Sequence, residues 1–206
     1  MLRLYDSRLS GNSWKVRILL NQLKRPFRRI SLELERGETR TEAFTELNRF
    51  SRVPVLQLSD GRTIVESAAI LLNLAEGSDF LFDDPYLNSQ ALGWMFYEQG
   101  DLQKYLAWPR VYHIRGMEDA HRERILQLQS DGYKGLDKLE FWLEQHSWLV
   151  GERYSVADIA VFGYVSLATE GGYDMERFPA INRWLDLVKS QHDWLPIFAK
   201  GNFETD

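Results

Sequence analysis

Strand-like patterns are confined to the first 76 residues of this chain, and that asymmetry most constrains what it can fold into. Short apolar stretches alternating with polar residues, at residues 2–5, 30–34, 53–58 and 63–65, are separated by segments with helical periodicity. The predicted order is β-α-β-α-β-β-α, which is typical of a small mixed sheet with helices on both faces. From residue 86 onward only helical patterns recur, so we expect an α/β domain followed by an all-α domain.

The change of pattern also places the domain boundaries. We expect an N-terminal domain at residues 1–76, a Gly-, Ser- and Asp-rich linker at 77–85, and a helical domain at 86–206. Within the first domain, Asp60-Gly61 between two β-rich runs predicts a tight hairpin in which both central residues have positive φ. The helices predicted in the second domain span residues 87–108, ended by Pro109, and residues 118–146, 155–169 and 178–190.

Composition limits the chemistry. The chain has 206 residues, a net charge of −5 and no cysteine, which excludes disulfides, cysteine–zinc sites and cysteine nucleophiles, so thiol chemistry needs sulfur from a ligand. The acidic balance argues against a nucleic-acid partner, and no apolar run is long enough to cross a membrane. The four histidines lack metal-ligand spacing, so we expect no metal. Without a signal-peptide pattern, we expect a cytoplasmic protein.

The polar loop SRLSGNS, residues 7–13, separates the first predicted strand from the first helix. A helix N-terminus carries unpaired N–H groups and a partial positive charge, which favour an anion or a thiolate. Hydroxyls of Ser10 and Ser13 could donate to a bound sulfur. Ser13, or alternatively Asn12, could instead serve only as the helix N-cap, which is the simpler interpretation of this loop on its own.

Two further segments allow both a structural and a functional interpretation. Pro54 stands at the start of a strand, where a missing N–H is tolerated. If the Val53–Pro54 bond is cis, the backbone of Val53 could turn toward an extended peptide ligand. Glu66 and Ser67 precede the apolar run 68–71, and they either cap that helix or bind a ligand's ammonium and carboxylate groups.

In register along the chain, these motifs resemble those of the cytosolic glutathione transferases. LYDSRLSGNSWKVRILL is similar to the zeta-like and related bacterial N-terminal pattern, and RVPVLQLSDGRTIVESAAIL to the family's cis-proline hairpin and Glu/Gln-Ser helix start. LVGERYSVADIAVFGY is similar to its buried capping box, in which Ser155 caps a helix and Asp158 bonds back. The resemblance covers essentially the whole chain. It implies a thioredoxin-like N-terminal domain, an all-helical C-terminal domain, glutathione as co-substrate, and a homodimer active in detoxification.

The resemblance also implies roles for individual residues. Ser10 aligns with the serine that donates to the glutathione sulfur, with Asn12 as a supporting donor, while Tyr5 is interpreted as core. Val53 and Pro54 would bind the cysteinyl backbone of glutathione. The γ-glutamyl end would lie at Glu66 and Ser67, and the glycyl carboxylate at Arg40 or Arg52, which could equally be solvated surface charges. The electrophile pocket would include Tyr105, Trp108, Tyr112 and His113, although core packing could explain any one of them.

Asn12 occupies a position where zeta-type enzymes often carry cysteine. That departure argues against isomerase and cysteine-dependent reductase activities, whereas conjugation and peroxide reduction need only the glutathione thiol. We therefore expect a transferase that activates this thiol for attack on a small electrophile. The alternatives are a glutathione-binding module without catalysis, and a glutathione-dependent isomerase or dehalogenase.

Overall fold

The computed structural model describes residues 1–198 and the backbone of residues 204 and 205. It forms two compact units, of which the first contains Met1–Ser78 together with the C-terminal segment from His192, and the second Asp79–Gln191. The sequence had placed that C-terminal segment in the helical domain. In the structure it packs on the first unit: the indole N–H of Trp14 donates to the Leu195 carbonyl at 2.9 Å.

The first unit is built on a five-stranded mixed sheet of order β4-β3-β1-β2-β5. β1 pairs in parallel with β2 and antiparallel with β3, and β3 pairs antiparallel with β4. β5, which the sequence did not predict, adds in parallel to β2 at the edge. The elements are β1 Leu2–Asp6, α1 Gly11–Gln22, β2 Phe27–Ser31, α2 Glu42–Leu47, β3 Val55–Gln57, β4 Thr63–Val65, α3 Ser67–Ala75 and β5 Glu204–Thr205. The predicted α/β order is thereby confirmed.

The predicted hairpin joins β3 and β4, but its turn differs from the expected type. Leu58 N–H donates to the Arg62 carbonyl at 2.8 Å, closing the hairpin. Gly61 has a φ of +91°, whereas Asp60 is not among the residues with positive φ. The Asp60 carboxylate instead accepts from the Arg62 N–H at 3.0 Å, so a side-chain bond stabilises a turn that needs only one left-handed residue.

The second unit is helical. All ten residues of α7 are buried, so this helix lies at the centre of the second unit. The Asp158 carboxylate accepts from the Ser155 N–H at 3.0 Å, so the predicted capping box is present. The helices are α4 Pro85–Tyr97, α5 Gln103–Ile114, α6 Arg122–Leu143, α7 Val156–Val165 and α8 Pro179–Lys189, with a π-helical turn at Glu98–Leu102 between α4 and α5. Among the described residues, no helix combines the length and the apolarity needed to cross a bilayer.

The prediction that Pro109 ends the first long helix is wrong, because Pro109 lies inside α5. A proline in this position removes the N–H that would bond to the carbonyl four residues earlier. That carbonyl belongs to Tyr105, and the Tyr173 hydroxyl donates to it at 2.9 Å. A side chain from a distant segment therefore satisfies the acceptor that the proline leaves open.

Candidate functional site

The loop after β1 is closed by Ser10, which is the N-cap of α1. Its hydroxyl oxygen accepts from the Ser13 N–H at 3.2 Å, and its own N–H donates to the Ser7 carbonyl at 3.0 Å. The expectation that Ser13 caps the helix is wrong, because α1 begins at Gly11 and Ser13 is its third residue. Since the Ser10 oxygen acts as acceptor, its hydroxyl proton remains available to a ligand at the helix N-terminus.

Asn12 and Ser67 bring two helix N-termini together. The Oδ1 atom of Asn12 accepts from the Lys15 ammonium at 2.9 Å and faces the Ser67 hydroxyl at 3.4 Å. Because these contacts occupy Oδ1, the amide nitrogen of Asn12 and its two donors are turned away from Lys15 and Ser67. The sequence did not identify Lys15, which is only 1% exposed. Its spacing of three from Asn12 on a helix was the signal that could have revealed it.

Glu66 immediately precedes α3 and has an unusual backbone. Its φ of 70° and ψ of 123° lie outside the regions that residues other than glycine usually adopt, at a cost of about 1–3 kcal/mol. Its side chain is exposed and makes no capping bond. The hydroxyl of Ser67, the first residue of α3, turns toward Asn12. Glu66 is thus the N-cap residue of α3, but neither its side chain nor that of Ser67 makes a capping hydrogen bond to the helix.

The segment before β3 is held by Asn48, a residue that sequence reasoning missed. Its amide nitrogen donates to the Arg52 carbonyl at 2.7 Å, and its side-chain oxygen accepts from the Phe50 N–H at 2.9 Å. The Val53–Pro54 peptide bond is cis. Among residues 1–198, neither the N–H nor the C=O of Val53 has a backbone hydrogen-bond partner. An extended ligand could pair with both groups.

The two arginines proposed for the glycyl carboxylate are exposed. Arg40 ends a 3-10 turn, Glu38–Arg40, and Arg52 lies just before Val53. In the described part of the chain, no hydrogen bond or ion pair joins either guanidinium to Asn12 or Ser67. Tyr5 packs edge-on against Phe44, with ring centroids 6.0 Å apart.

The four residues predicted for the electrophile pocket all lie on α5: Tyr105, Trp108, Tyr112 and His113. The rings of Trp108 and Tyr112 are 6.0 Å apart, and Tyr112 stacks on His121 at 4.3 Å. Trp108 is 51% exposed, so this aromatic stack lies at the surface of the second unit. His113 lies apart from it, with Nδ1 2.8 Å from the Pro109 carbonyl of its own helix. Within residues 1–198, no three acidic or histidine side chains cluster as a metal site.

A thioredoxin-like unit followed by a helical unit, with these motifs at the ends of β1, α1 and α3, defines the glutathione transferase class of fold. Family comparison agrees with this assignment. The glutathione S-transferase N-terminal domain matches residues 9–76, and the C-terminal domain of the same family matches residues 106–191. The chain belongs to the glutathione S-transferase family.

Similar proteins include both structures and characterised sequences. A glutathione S-transferase from Pseudomonas fluorescens Pf-5 is 40% identical with a TM-score of 0.94, over 96% of this chain and 99% of its own. The disulfide-bond oxidoreductase YfcG of Escherichia coli K12 is 28% identical, over 87% of this chain and 86% of its own length. Ure2p in complex with glutathione shares the fold at 21% identity, with a TM-score of 0.80 over 93% of this chain and 95% of its own.

Proposed function

We propose that this protein is a glutathione transferase that activates the glutathione thiol for attack on a small electrophile. The observation that carries the proposal is the contact between Asn12 and Ser67, which places the N-termini of α1 and α3 beside each other. Each N-terminus presents unpaired N–H groups and a partial positive charge. Glutathione carries an acidic thiol and an α-carboxylate on one short flexible chain, and two neighbouring anion sites suit that ligand.

The thiol belongs at the start of α1. A free thiol has a pKa of about 8.5, so little of it is ionised at neutral pH. The Ser10 hydroxyl proton and the Asn12 amide are donors at this N-terminus, and donation to sulfur favours the thiolate. We keep Ser10 as the first donor to the sulfur and Asn12 as the second. Asn12 can serve as a donor because its bonds to Lys15 and Ser67 fix the side-chain amide in one orientation.

The rest of glutathione would extend from α3 toward β3. The Ser67 hydroxyl and the α3 N-terminus would bind the γ-glutamyl carboxylate, and the exposed carboxylate of Glu66 the α-ammonium. The open backbone groups of Val53, beside Pro54, would pair with the cysteinyl residue. Either Arg40 or Arg52 would neutralise the glycyl carboxylate.

In the proposed reaction the thiolate attacks an electrophilic carbon. A carbon–sulfur bond forms while the bond to a leaving group breaks, or while a ring oxygen or enone carbon takes up the electron pair and then a proton. No protein cysteine is required, which suits a chain that has none. We place the electrophile at the aromatic stack of Trp108 and Tyr112, keep Tyr105 and His113 of the same helix as further candidates for its pocket, and expect a cytoplasmic homodimer.

Calorimetry with glutathione is the first test, followed by assays with aryl halides, epoxides, enones and hydroperoxides. We expect binding of glutathione and turnover of at least one substrate class, with turnover reduced about 10²-fold by Ser10→Ala. No glutathione binding would overturn the proposal. Binding without turnover of any substrate would favour a non-catalytic glutathione-binding module instead.

A second candidate reaction is reduction of a low-molecular-weight disulfide, supported by the similarity to a disulfide-bond oxidoreductase. Because this chain has no cysteine, both reducing thiols would come from glutathione. One thiolate attacks the disulfide and releases a thiol, and a second attacks the mixed disulfide and releases the other. Oxidised glutathione is the product. The same substrate panel, extended by a small disulfide and by an isomerisable enone and an alkyl halide, distinguishes these reactions.

A further inference from the structure

A buried charge cluster lies where β1 ends and the polar loop of residues 7–13 begins. The carboxylate of Asp6, the last residue of β1, lies 3.1 Å from the Arg17 Nε and accepts from the Arg29 Nε at 2.7 Å. The side chains of Asp6 and Arg17 are fully buried, and that of Arg29 is 11% exposed. Burying ionised groups is costly, and a cluster with unequal charges costs more than a matched pair.

The cluster carries a net positive charge in either protonation state of Asp6, because two guanidinium groups face one carboxyl group. Burial raises the pKa of Asp6, opposed by the charges of Arg17 and Arg29 and by the hydrogen bond from Arg29. Burial also lowers the pKa of Arg17 to about 10, which leaves it protonated at neutral pH. Among the described residues, Nη2 of Arg17, Nη2 of Arg29 and Oδ1 of Asp6 are buried without a hydrogen-bond partner, so hydrogen bonds satisfy only part of the cluster.

This charge is linked directly to the first turn of α1. Ser13 lies on α1 between Ser10 and Arg17, and its backbone N–H donates to the Ser10 hydroxyl oxygen. Arg17 lies one turn further along the same helix. A second cation on this helix, the Lys15 ammonium, bonds to Asn12. The backbone of the first turn of α1 therefore holds Ser10, and the side chain of Lys15 holds Asn12.

The C-terminal segment orients Arg17. Its Nη1 donates to the carbonyl of Ile197 at 2.8 Å, across 180 positions of sequence. One end of the guanidinium faces Asp6 and the other is held by this carbonyl. The backbone after α8 thus fixes the direction of the charge beneath the loop.

We propose that Asp6 and Arg17 are positioning residues for the thiol site. We further propose that the C-terminal segment contributes to this site by holding the Arg17 guanidinium in place. The cluster sets the geometry of the first turn of α1 and supplies a positive field that favours the thiolate of glutathione. This inference rests on the proposed function. A purely structural role would affect stability without changing the ionisation of the bound thiol.

The test is the pH midpoint of thiolate formation in the glutathione complex, followed by ultraviolet absorbance and by the pH profile of kcat/KM. Arg17→Met makes the cluster neutral, and we expect the midpoint to rise by about one pH unit, which is tenfold less thiolate below it. At a pH below the midpoints of both wild type and Arg17→Met, the glutathione affinities of the two proteins should differ less than twofold. Arg17→Lys keeps the positive charge, so its midpoint should lie close to that of wild type.

Two further variants keep the test decisive. The double variant Asp6→Asn/Arg17→Met leaves no unpaired buried carboxylate and keeps one positive charge on Arg29, so it should fold and have a midpoint near that of wild type. In the full-length chain, Trp14→Phe removes the other donor that holds the C-terminal segment, at the Leu195 carbonyl, and its midpoint should shift in the same direction as that of Arg17→Met.

Two results would overturn the inference. One is a folded Arg17→Met variant whose midpoint of thiolate formation equals that of wild type. The other is a double variant whose midpoint rises as much as that of Arg17→Met. If Arg17→Met does not fold, the double variant and Trp14→Phe decide the matter. Failure of wild-type protein to bind glutathione in calorimetry identifies a failure of the proposed function instead. The two kinds of failure are therefore distinguishable.

Discussion

The Ser67 hydroxyl lies 3.4 Å from the Oδ1 atom of Asn12, although 55 positions separate the two residues. The contact joins the first turn of α1 to the first residue of α3. It also turns the amide donors of Asn12 away from Ser67, so that the two helix N-termini can serve different groups of one ligand. The relationship connects two motifs that are separately no more than helix starts.

Ser67→Ala should weaken glutathione binding more than it slows the reaction. Loss of a hydrogen bond to a charged group costs about 1.5–3 kcal/mol, which corresponds to a KM for glutathione raised roughly 10- to 100-fold. Turnover at saturating glutathione should fall much less, because Ser67 would contact the carboxylate and not the sulfur. Ser59→Ala, at an exposed serine of the β3–β4 turn, is the matched control. Equal KM values in the two variants would contradict this assignment of Ser67.

The buried carboxylate of Asp158 should make stability depend on pH. Burial raises its pKa to about 6, opposed by bonds from Trp184, Leu149 and Ser155. The folded state therefore binds this proton more tightly than the unfolded state. The contribution is fully present below pH 3.8 and is lost as the pH rises to about 6, a fall of about 3 kcal/mol from this group.

Asp158→Asn removes that titration and provides the comparison. We expect the difference in unfolding free energy between wild type and Asp158→Asn to shift by that amount, against the wild type, as the pH rises from below 3.8 through about 6, and to stay constant well above that value. Urea unfolding at a series of pH values measures it. A constant difference across the whole range would show that Asp158 does not titrate in this interval.

The Tyr173 hydroxyl should contribute more to the free energy of unfolding when residue 109 is proline than when it is alanine. Tyr173→Phe leaves the Tyr105 carbonyl without its donor, and we expect a loss of about 1 kcal/mol in the free energy of unfolding. Pro109→Ala supplies a backbone N–H for the same carbonyl, so Tyr173→Phe should cost less in that background. A double-mutant cycle by urea unfolding measures the coupling. Additive effects would mean that the two groups do not share this acceptor.

Gly132 should not tolerate a methyl group. A Cβ atom there would lie 2.2 Å from the Tyr173 hydroxyl oxygen, in a ring that is 3% exposed, so Gly132→Ala should cost about 1–3 kcal/mol. Gly93, in α4, has no atom within 4 Å of the same position, and Gly93→Ala should stabilise by about 0.5–1 kcal/mol through helix propensity. Calorimetric melting of both variants tests this. Destabilisation of equal size in both variants would show that the close approach of Gly132 to Tyr173 is not the cause.

Local patterns in the sequence determined much of the fold. Alternation and periodicity predicted the order of strands and helices along the first unit, and Asp60-Gly61 predicted its hairpin, because they record backbone preference and side-chain burial. The spacing of Ser155 and Asp158 predicted the capping box for the same reason, since both partners lie within one turn. The positions of the loop at residues 7–13 and of Glu66-Ser67 also came from the sequence.

The tertiary structure decided the contacts that no local pattern encodes. Pro109 should end a helix, yet it lies inside one because Tyr173 supplies the missing donor from a distant segment. The segment after α8 packs on the first unit because Trp14 and Arg17 have buried donors that need acceptors. The contact between Asn12 and Ser67 is likewise a tertiary contact that no local pattern encodes. Sequence sets which groups need partners, and only the folded chain selects partners among residues that lie far apart along it.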